Sequence, residues 1–255
     1  MLELYHWEPN SNSGEVLILL KEKGLDFVSH YVDVLAFEQH DPAFLKINPH
    51  AQAPALVHDG RLITETGFIL QYLEAVFHTP SFTPHGPQER YWVNVWIKYV
   101  NEYMAPAVSR LGVDRFMADQ LKGRDLAAAR EGLERAPPER RQAWIRALDG
   151  RLDPSDIEIT RALLRTRLDQ MERTLASSEW LAGSDYSIAD MAVFPTARSL
   201  PVVAPDLVND KATPRIMAWM EAIAARPPVQ AAMAMARTPH PEAVFAPGPE
   251  GSRWG

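Results

Sequence analysis

The chain has 255 residues, 46% of them hydrophobic and 23% charged, which suits one large globular domain or two modest ones. It contains no cysteine, so disulfides, cysteine nucleophiles and Cys-based zinc sites are excluded, and any sulfur chemistry must borrow its sulfur from a ligand. The formal charge of −7 falls within residues 1–80, which hold 4 Lys/Arg against 11 Asp/Glu and so lack the cations that phosphate contacts need.

Residues 2–5, LELY, read as a strand. Ser13 to Glu22 carries Val16, Leu17, Leu19 and Leu20 at helical spacing, and Gly24 stops that helix with Lys21 and Lys23 in its last turn. Residues 26–34 alternate and form a second expected strand. Pro42 and Pro49 punctuate 37–53 into a loop with a short helix. Residues 54–64 carry a hairpin signal, ALV and RLI flanking Asp59–Gly60, a dipeptide suited to a two-residue turn. Ile69, Leu70, Leu73 and Phe77 mark a helix over 65–77. The order is β-α-β-α-β-β-α, with a right-handed parallel unit first and an antiparallel hairpin second.

Residues 78–87, HTPSFTPHGP, hold three prolines and a glycine and form the best linker in the chain. Beyond it the patterning is helical. Trp92, Trp96, Val100, Tyr103, Met104, Ala107, Val108 and Leu111 predict one long amphipathic helix. Residues 122–151 read as charged surface helices broken at Pro137–Pro138. Further helices are expected over Ile157–Leu175, Ser187–Leu200 and Pro214–Ala225. The tail after Thr238 holds four prolines and three glycines in 17 residues and reads as poorly ordered. The chain thus divides into an α/β domain at 1–78, an all-helical domain at 88–238 and an irregular tail at 239–255.

Several stretches could carry chemistry. In WEPNSNSGEV (7–16) polar residues precede a helix, as in an ordinary N-cap or a site where helix N–H groups face an anion. Pro54 opens a strand, and a cis bond at Ala53–Pro54 would expose the Ala53 backbone to an extended ligand; a plain loop proline is the simpler reading. Glu65–Thr66 stands where a strand gives way to a helix. It is either an acidic first turn or a place for a ligand ammonium and carboxylate. Ser187-Ile-Ala-Asp190 has the form of a capping box and reads as structural. His40 precedes Asp41–Pro42 in a polar loop and reads as a surface histidine unless other signals recruit it. None of the eight histidines has HxH or HExxH spacing, so no metal is expected; GxGxxG, GxxxxGK[ST] and GxSxG are also absent. No run of 18 apolar residues and no signal-peptide pattern occurs, so no membrane span and a cytoplasmic location are expected.

The layout, with X-Pro before the third strand, ITETGFILQYLE, a linker, and SIADMAVFP in a helical region, resembles a cytosolic glutathione S-transferase over about 230 of the 255 residues. The resemblance implies a thioredoxin-like N-terminal domain plus an all-α C-terminal domain. Asn12–Ser13, VDVLAFEQHDPAFLKINPHAQAPAL (32–56), WIKYVNEYMAPAVSRLG (96–112) and the charged insertion at 122–151 look most like the bacterial β-etherases, which use glutathione to cleave lignin-derived β-aryl ethers.

That resemblance implies roles residue by residue. Ser13 and Asn12, with Ser11 as the alternative, would donate to the glutathione sulfur. Ala53 beside a cis Pro54 would pair with the cysteinyl backbone. Gln52 and His40 would lie at the glycine carboxylate, and Glu65 and Thr66 at the γ-glutamyl end, with Thr66 in place of the serine most relatives carry. Tyr5 would be a core residue of the first strand. The acceptor site would lie between the domains, with His6, Trp7 and Glu8 facing Tyr99, Tyr103 and Val108; packing is the alternative for the two tyrosines. A general glutathione transferase or glutathione peroxidase is the second functional reading, and a ligand-carrying protein without activity the third. Glutathione and an aromatic ether are the expected small-molecule partners. A homodimer is also expected, a heterodimer with a paralogue being its alternative, with neither nucleic acid nor membrane.

Overall fold

The computed structural model describes residues 1–122, 126–136, 138–150 and 152–248. Pro137 and the tail beyond Gly248 lie outside the described residues.

A four-stranded mixed sheet, in the order β2-β1-β3-β4, organises the first part of the chain: β1 (Leu2–His6), β2 (Val28–Tyr31), β3 (Ala55–His58) and β4 (Arg61–Ile63). β1 pairs parallel to β2 and antiparallel to β3, and β3–β4 is the expected hairpin. Asp59 and Gly60 both have positive φ, 49° and 78°, as a two-residue hairpin with the sheet's own twist requires. Helices α1 (Asn12–Glu22), α2 (Pro42–Ile47) and α3 (Thr66–Val76) complete this part.

Val16 to Leu20 of α1 are all fully buried, so the helix is apolar nearly all round. It packs on α3 on one side and on two helices of the second part on the other. Those two are α9 (Ile188–Ala197) and α12 (Pro227–Met233). α12 opens on Pro227–Pro228, where missing N–H groups cost nothing, and was not expected from the sequence. A bidentate pair, Arg226 to Glu22 at 2.6 and 2.9 Å, ties its start to the end of α1. Buried Lys23 fastens the linker through Phe77 O, Pro80 O and Glu74.

The remaining helices are α4 (Pro87–Tyr99), α5 (Ala105–Gln120), α6 (Leu126–Leu133), α7 (Pro138–Leu148), α8 (Pro154–Ser177), α10 (Leu200–Val203) and α11 (Pro214–Ala224). The long helix expected around 92–111 is interrupted by a π turn at Val100–Met104, where the Ala105 N–H bonds the Val100 carbonyl. Pro106, just beyond, has no N–H to continue the ordinary ladder. The capping box is present: Asp190 accepts from the Ser187 N–H at 3.0 Å and, through its other oxygen, from Leu181 N–H and Trp219 Nε1.

Two expectations need correction. Helices α6 and α7 are not merely surface pieces, because Leu133 and Trp144 are buried and the Trp144 ring packs 4.7 Å from that of Phe37. The tail is not loose up to Gly248. Phe245 is buried with its N–H on Gln120 Oε1 at 2.8 Å, and Ser109 Oγ donates to Ala246 O at 2.6 Å. Two polar contacts from α5 thus fix a Pro/Gly-rich segment whose composition alone reads as disorder.

Candidate functional site

A cavity of about 780 Å³ opens where the loop after β1, the loop before β3 and the start of α3 meet α4, α5, α7 and the C-terminal segment. Its floor is the N-terminus of α1. Ser11 is the N-cap; its Oγ accepts from the Ser13 N–H at 3.2 Å and donates to Glu8 O at 2.6 Å. Asn12, the first helical residue, lines the cavity and its side chain has no partner among the described residues. Helix N–H groups and the dipole make this a place where an anion is stabilised.

Ser13, the first-named thiol donor, is displaced from that role. Its side chain is fully buried, it does not line the cavity, and its Oγ accepts from the Trp7 N–H at 2.9 Å. Ser13 instead braces the loop, and the residues that face the cavity here are Ser11 and Asn12.

The loop before β3 brings Gln52, Ala53 and Pro54 to the cavity wall, with the Ala53–Pro54 bond cis. Glu65 stands at the start of α3 with φ +63°, an uncommon left-handed position for a residue with a side chain, and Thr66 follows it; both line the cavity. His40 also lines it, but it is no surface histidine. It is fully buried, and neither ring nitrogen has a hydrogen-bond partner among the described residues. Burial first, and the nearby charges of Arg140 and Arg135 second, hold its pKa down to about 4, so the ring is neutral at pH 7.

On the acceptor side, Trp7 and Val108 line the cavity and four expected residues do not. His6 is buried, its Nδ1 donating to Trp7 O at 2.8 Å and its Nε2 accepting from Ser29 Oγ at 2.7 Å. Glu8 is buried and accepts from Tyr31 OH at 2.6 Å and from the Arg237 N–H. Tyr99 and Tyr103 lie on the far face of the helix, under the Arg167 guanidinium of α8. Tyr99 is buried there and Tyr103 exposed. The wall is built instead by Ala105, Pro106 and Val108 of α5 and by Val244, Phe245 and Ala246 of the tail. Asn10 Nδ2 reaches Val244 O at 3.4 Å, closing the tail onto the loop after β1. The family resemblance implied Trp7 and Val108; the tail carried no periodic signal, and Arg140 sat in a charged stretch that reads as solvated.

Among the described residues no group of three or more His, Cys, Asp or Glu could hold a metal, and no helix is long and apolar enough to cross a membrane.

Residues 1–75 match the family model "Glutathione S-transferase, N-terminal domain" and residues 153–227 match "Glutathione S-transferase, C-terminal domain". The chain is 36% identical over 240 residues to Protein LigF of Sphingobium sp. (strain NBRC 103272 / SYK-6), covering 90% of this chain and 91% of that one. It is 30% identical over 248 residues to Glutathione S-transferase 3 of Zea mays, covering 94% and 96%. The crystal structure of beta-etherase LigF from Sphingobium sp. strain SYK-6 superposes with a TM-score of 0.85 at 34% identity, over 92% of this chain and 99% of that one. Glutathione transferase F7 from Populus trichocarpa superposes at 0.66 with 28% identity, over 91% and 99%. Sequence, sheet topology and helical domain agree, and the chain belongs to the glutathione S-transferase family.

Proposed function

We propose that this enzyme cleaves aromatic β-aryl ethers with glutathione. The observation that carries the reading is the cavity itself: the anion-stabilising start of α1 opens directly onto an apolar wall made by Trp7, Val108 and Phe245. The likeness to a beta-etherase over nearly the whole chain points the same way.

The residues present fit the tripeptide thiol. Unpartnered buried atoms at Asn10 Oδ1 and both His40 nitrogens line the cavity, as does the Ala53 backbone. Glutathione supplies a thiolate that forms a C–S bond at Cβ while the C–O bond breaks, the electron pair leaves with the phenolate, and the thiol proton ends on the released phenol. A free thiol has a pKa of about 8.5, so the protein must favour the anion to work at neutral pH. Asn12 Nδ2, the Ser11 hydroxyl turned from Glu8 O, and the free N–H groups of α1 donate towards the sulfur position and lower that pKa. Glu65 and Thr66 hold the ammonium and carboxylate of the γ-glutamyl end, with the start of α3 favouring the carboxylate. Trp7 and Phe245 pack the aryl rings and exclude water. The attack itself needs no general base.

A homodimer fits the exposed apolar side chains of α3 and α4, Phe68, Tyr91 and Trp92, and a mass twice that of the chain in light scattering is the expected result. The functional test is incubation with glutathione and a racemic β-aryl ether. Release of phenol supports the reading; activity only on a chlorinated aromatic returns the protein to a general transferase.

A further inference from the structure

We propose that Arg110 binds a carboxylate carried on the ring of the leaving phenol, so that the acceptors of this enzyme include aryl ethers of carboxylated phenols. This rests on the etherase reading above and deepens it by naming what the departing ring carries.

The cavity is long, and its two ends differ. At one end Ile97 of α4 meets the start of α3, where a Cβ built at Gly67 would come within 2.7 Å of Ile97 Cγ2. Arg110 of α5 also lines the cavity, thirteen residues further along the chain. At the rise of an α-helix, that places it roughly 20 Å from the start of α3. A tripeptide held at Glu65 and Thr66 spans only about 10 Å when extended. Arg110 therefore stands on the acceptor side.

Lys98, Glu102, Pro106 and Arg110 follow one another at one-turn steps, and all four line the cavity. Lys98 is neutralised by Glu102, its Nζ lying 2.5 and 2.6 Å from the two oxygens. Arg110 is exposed and makes no ion pair among the described residues. Its one hydrogen bond there runs from Nη1 to Thr160 Oγ1 at 3.5 Å, the outer limit for such a bond. That hydroxyl donates in turn to Asp156 O at 2.7 Å. One long bond engages one of the five guanidinium donors. The tail closes on the same stretch of α5, since a Cβ at Gly248 would lie 3.9 Å from Ser109 Oγ.

The direction of displacement decides which part of the substrate arrives there. Sulfur attacks Cβ from the start of α1, and the C–O bond breaks on the opposite face of that carbon. The leaving ring thus points away from α1, towards the apolar wall of Val108 and Phe245. A substituent on the far edge of that ring meets the guanidinium. Arginine's planar fork matches a carboxylate with two parallel hydrogen bonds.

The test is calorimetric binding of 4-hydroxybenzoate and of neutral 4-hydroxybenzamide to protein saturated with S-methylglutathione, for the native chain, Arg110→Gln and Arg110→Lys. The native protein should bind the acid about fivefold more tightly than the amide, the gain of an ion pair at an exposed rim. Arg110→Gln should bind both alike, and Arg110→Lys should recover part of the difference. Glutathione itself should bind all three proteins equally. In turnover, the ratio of kcat/KM for the ether of the acid to that for the ether of the amide should fall about fivefold in Arg110→Gln, through KM. Equal binding of acid and amide by the native protein overturns the proposal. So does discrimination retained in Arg110→Gln, an equal loss for both probes, or weakened binding of glutathione. Failure to release phenol from either ether, with the binding difference intact, refutes the etherase reading and leaves the Arg110 site standing.

Discussion

Gly112 sits in α5 beneath the ring of Phe245, and a Cβ built there would come within 2.2 Å of the ring's Cγ, its three nearest neighbours all belonging to that ring. In an open helix Gly112→Ala would stabilise by about 1 kcal/mol. Here the methyl takes the volume of a buried ring that also stacks on Phe116 with centroids 5.8 Å apart. Displacing the ring forfeits about 1.5–3 kcal/mol of burial and about 0.5–1.5 kcal/mol of aromatic pairing. The net loss is about 1–3 kcal/mol, which for a chain of this size lowers Tm by roughly 3–8 °C. The sign must reverse when the ring is gone: in a Phe245→Ala background the same Gly112→Ala change should raise Tm by about 2–4 °C. Thermal unfolding of the four proteins by circular dichroism measures the cycle. A rise in Tm for the single Gly112→Ala variant, or no coupling between the sites, would refute a tail packed against α5. Because Phe245 forms acceptor wall, the single variant should also lose discrimination between small and bulky aryl ethers in kcat/KM.

Ser13→Ala should leave the thiol pKa of bound glutathione unchanged while destabilising the protein by about 1–3 kcal/mol, because it strands the buried Trp7 N–H. Asn12→Ala should raise that pKa by about one to two units, read from thiolate absorbance against pH. Glu15 is wholly buried in α1 with neither oxygen bonded among the described residues, and burial pushes its carboxyl well above the usual range. The folded state then holds a proton that the unfolded chain releases, so this group's stabilising contribution is full below its unfolded pKa and is lost as pH rises towards its folded one. Glu15→Gln should therefore match the native Tm near pH 4 and exceed it increasingly towards pH 8; a constant difference across that range contradicts the assignment. Asp190→Ala should cost about 3 kcal/mol or more, since the Leu181 and Ser187 N–H groups and Trp219 Nε1 all lose a buried acceptor, and denaturant unfolding measures it.

Element order was legible because apolar period and turn chemistry agree locally: the Val16–Leu20 run, Asp59–Gly60 and the Ser187–Asp190 box each fix one feature without distant partners. Contacts set by helix phase and cap geometry were not. Asn12 and Ser13 are adjacent in the chain, yet the second helical position points Ser13 back at Trp7 while Asn12 faces the cavity. Tyr99 and Tyr103 share a face at four-residue spacing, but sequence does not say whether that face meets α8 or the site. His40 lies in a polar stretch whose burial comes from α6 and α7, roughly 100 residues later. The tail is held by Gln120, Ser109 and the space above Gly112, none of which leaves a mark in its own composition.

The central claim is that sulfur displaces a phenol at the start of α1. Its most direct measurement is the stoichiometry of products from a β-aryl ether and glutathione, by mass spectrometry and phenol quantitation over one time course. Phenol and glutathione thioether should form in equal amounts, neither without glutathione, with both rates falling together in Asn12→Ala. Phenol released without thioether, or thioether formed with the aryl ether bond intact, would contradict it.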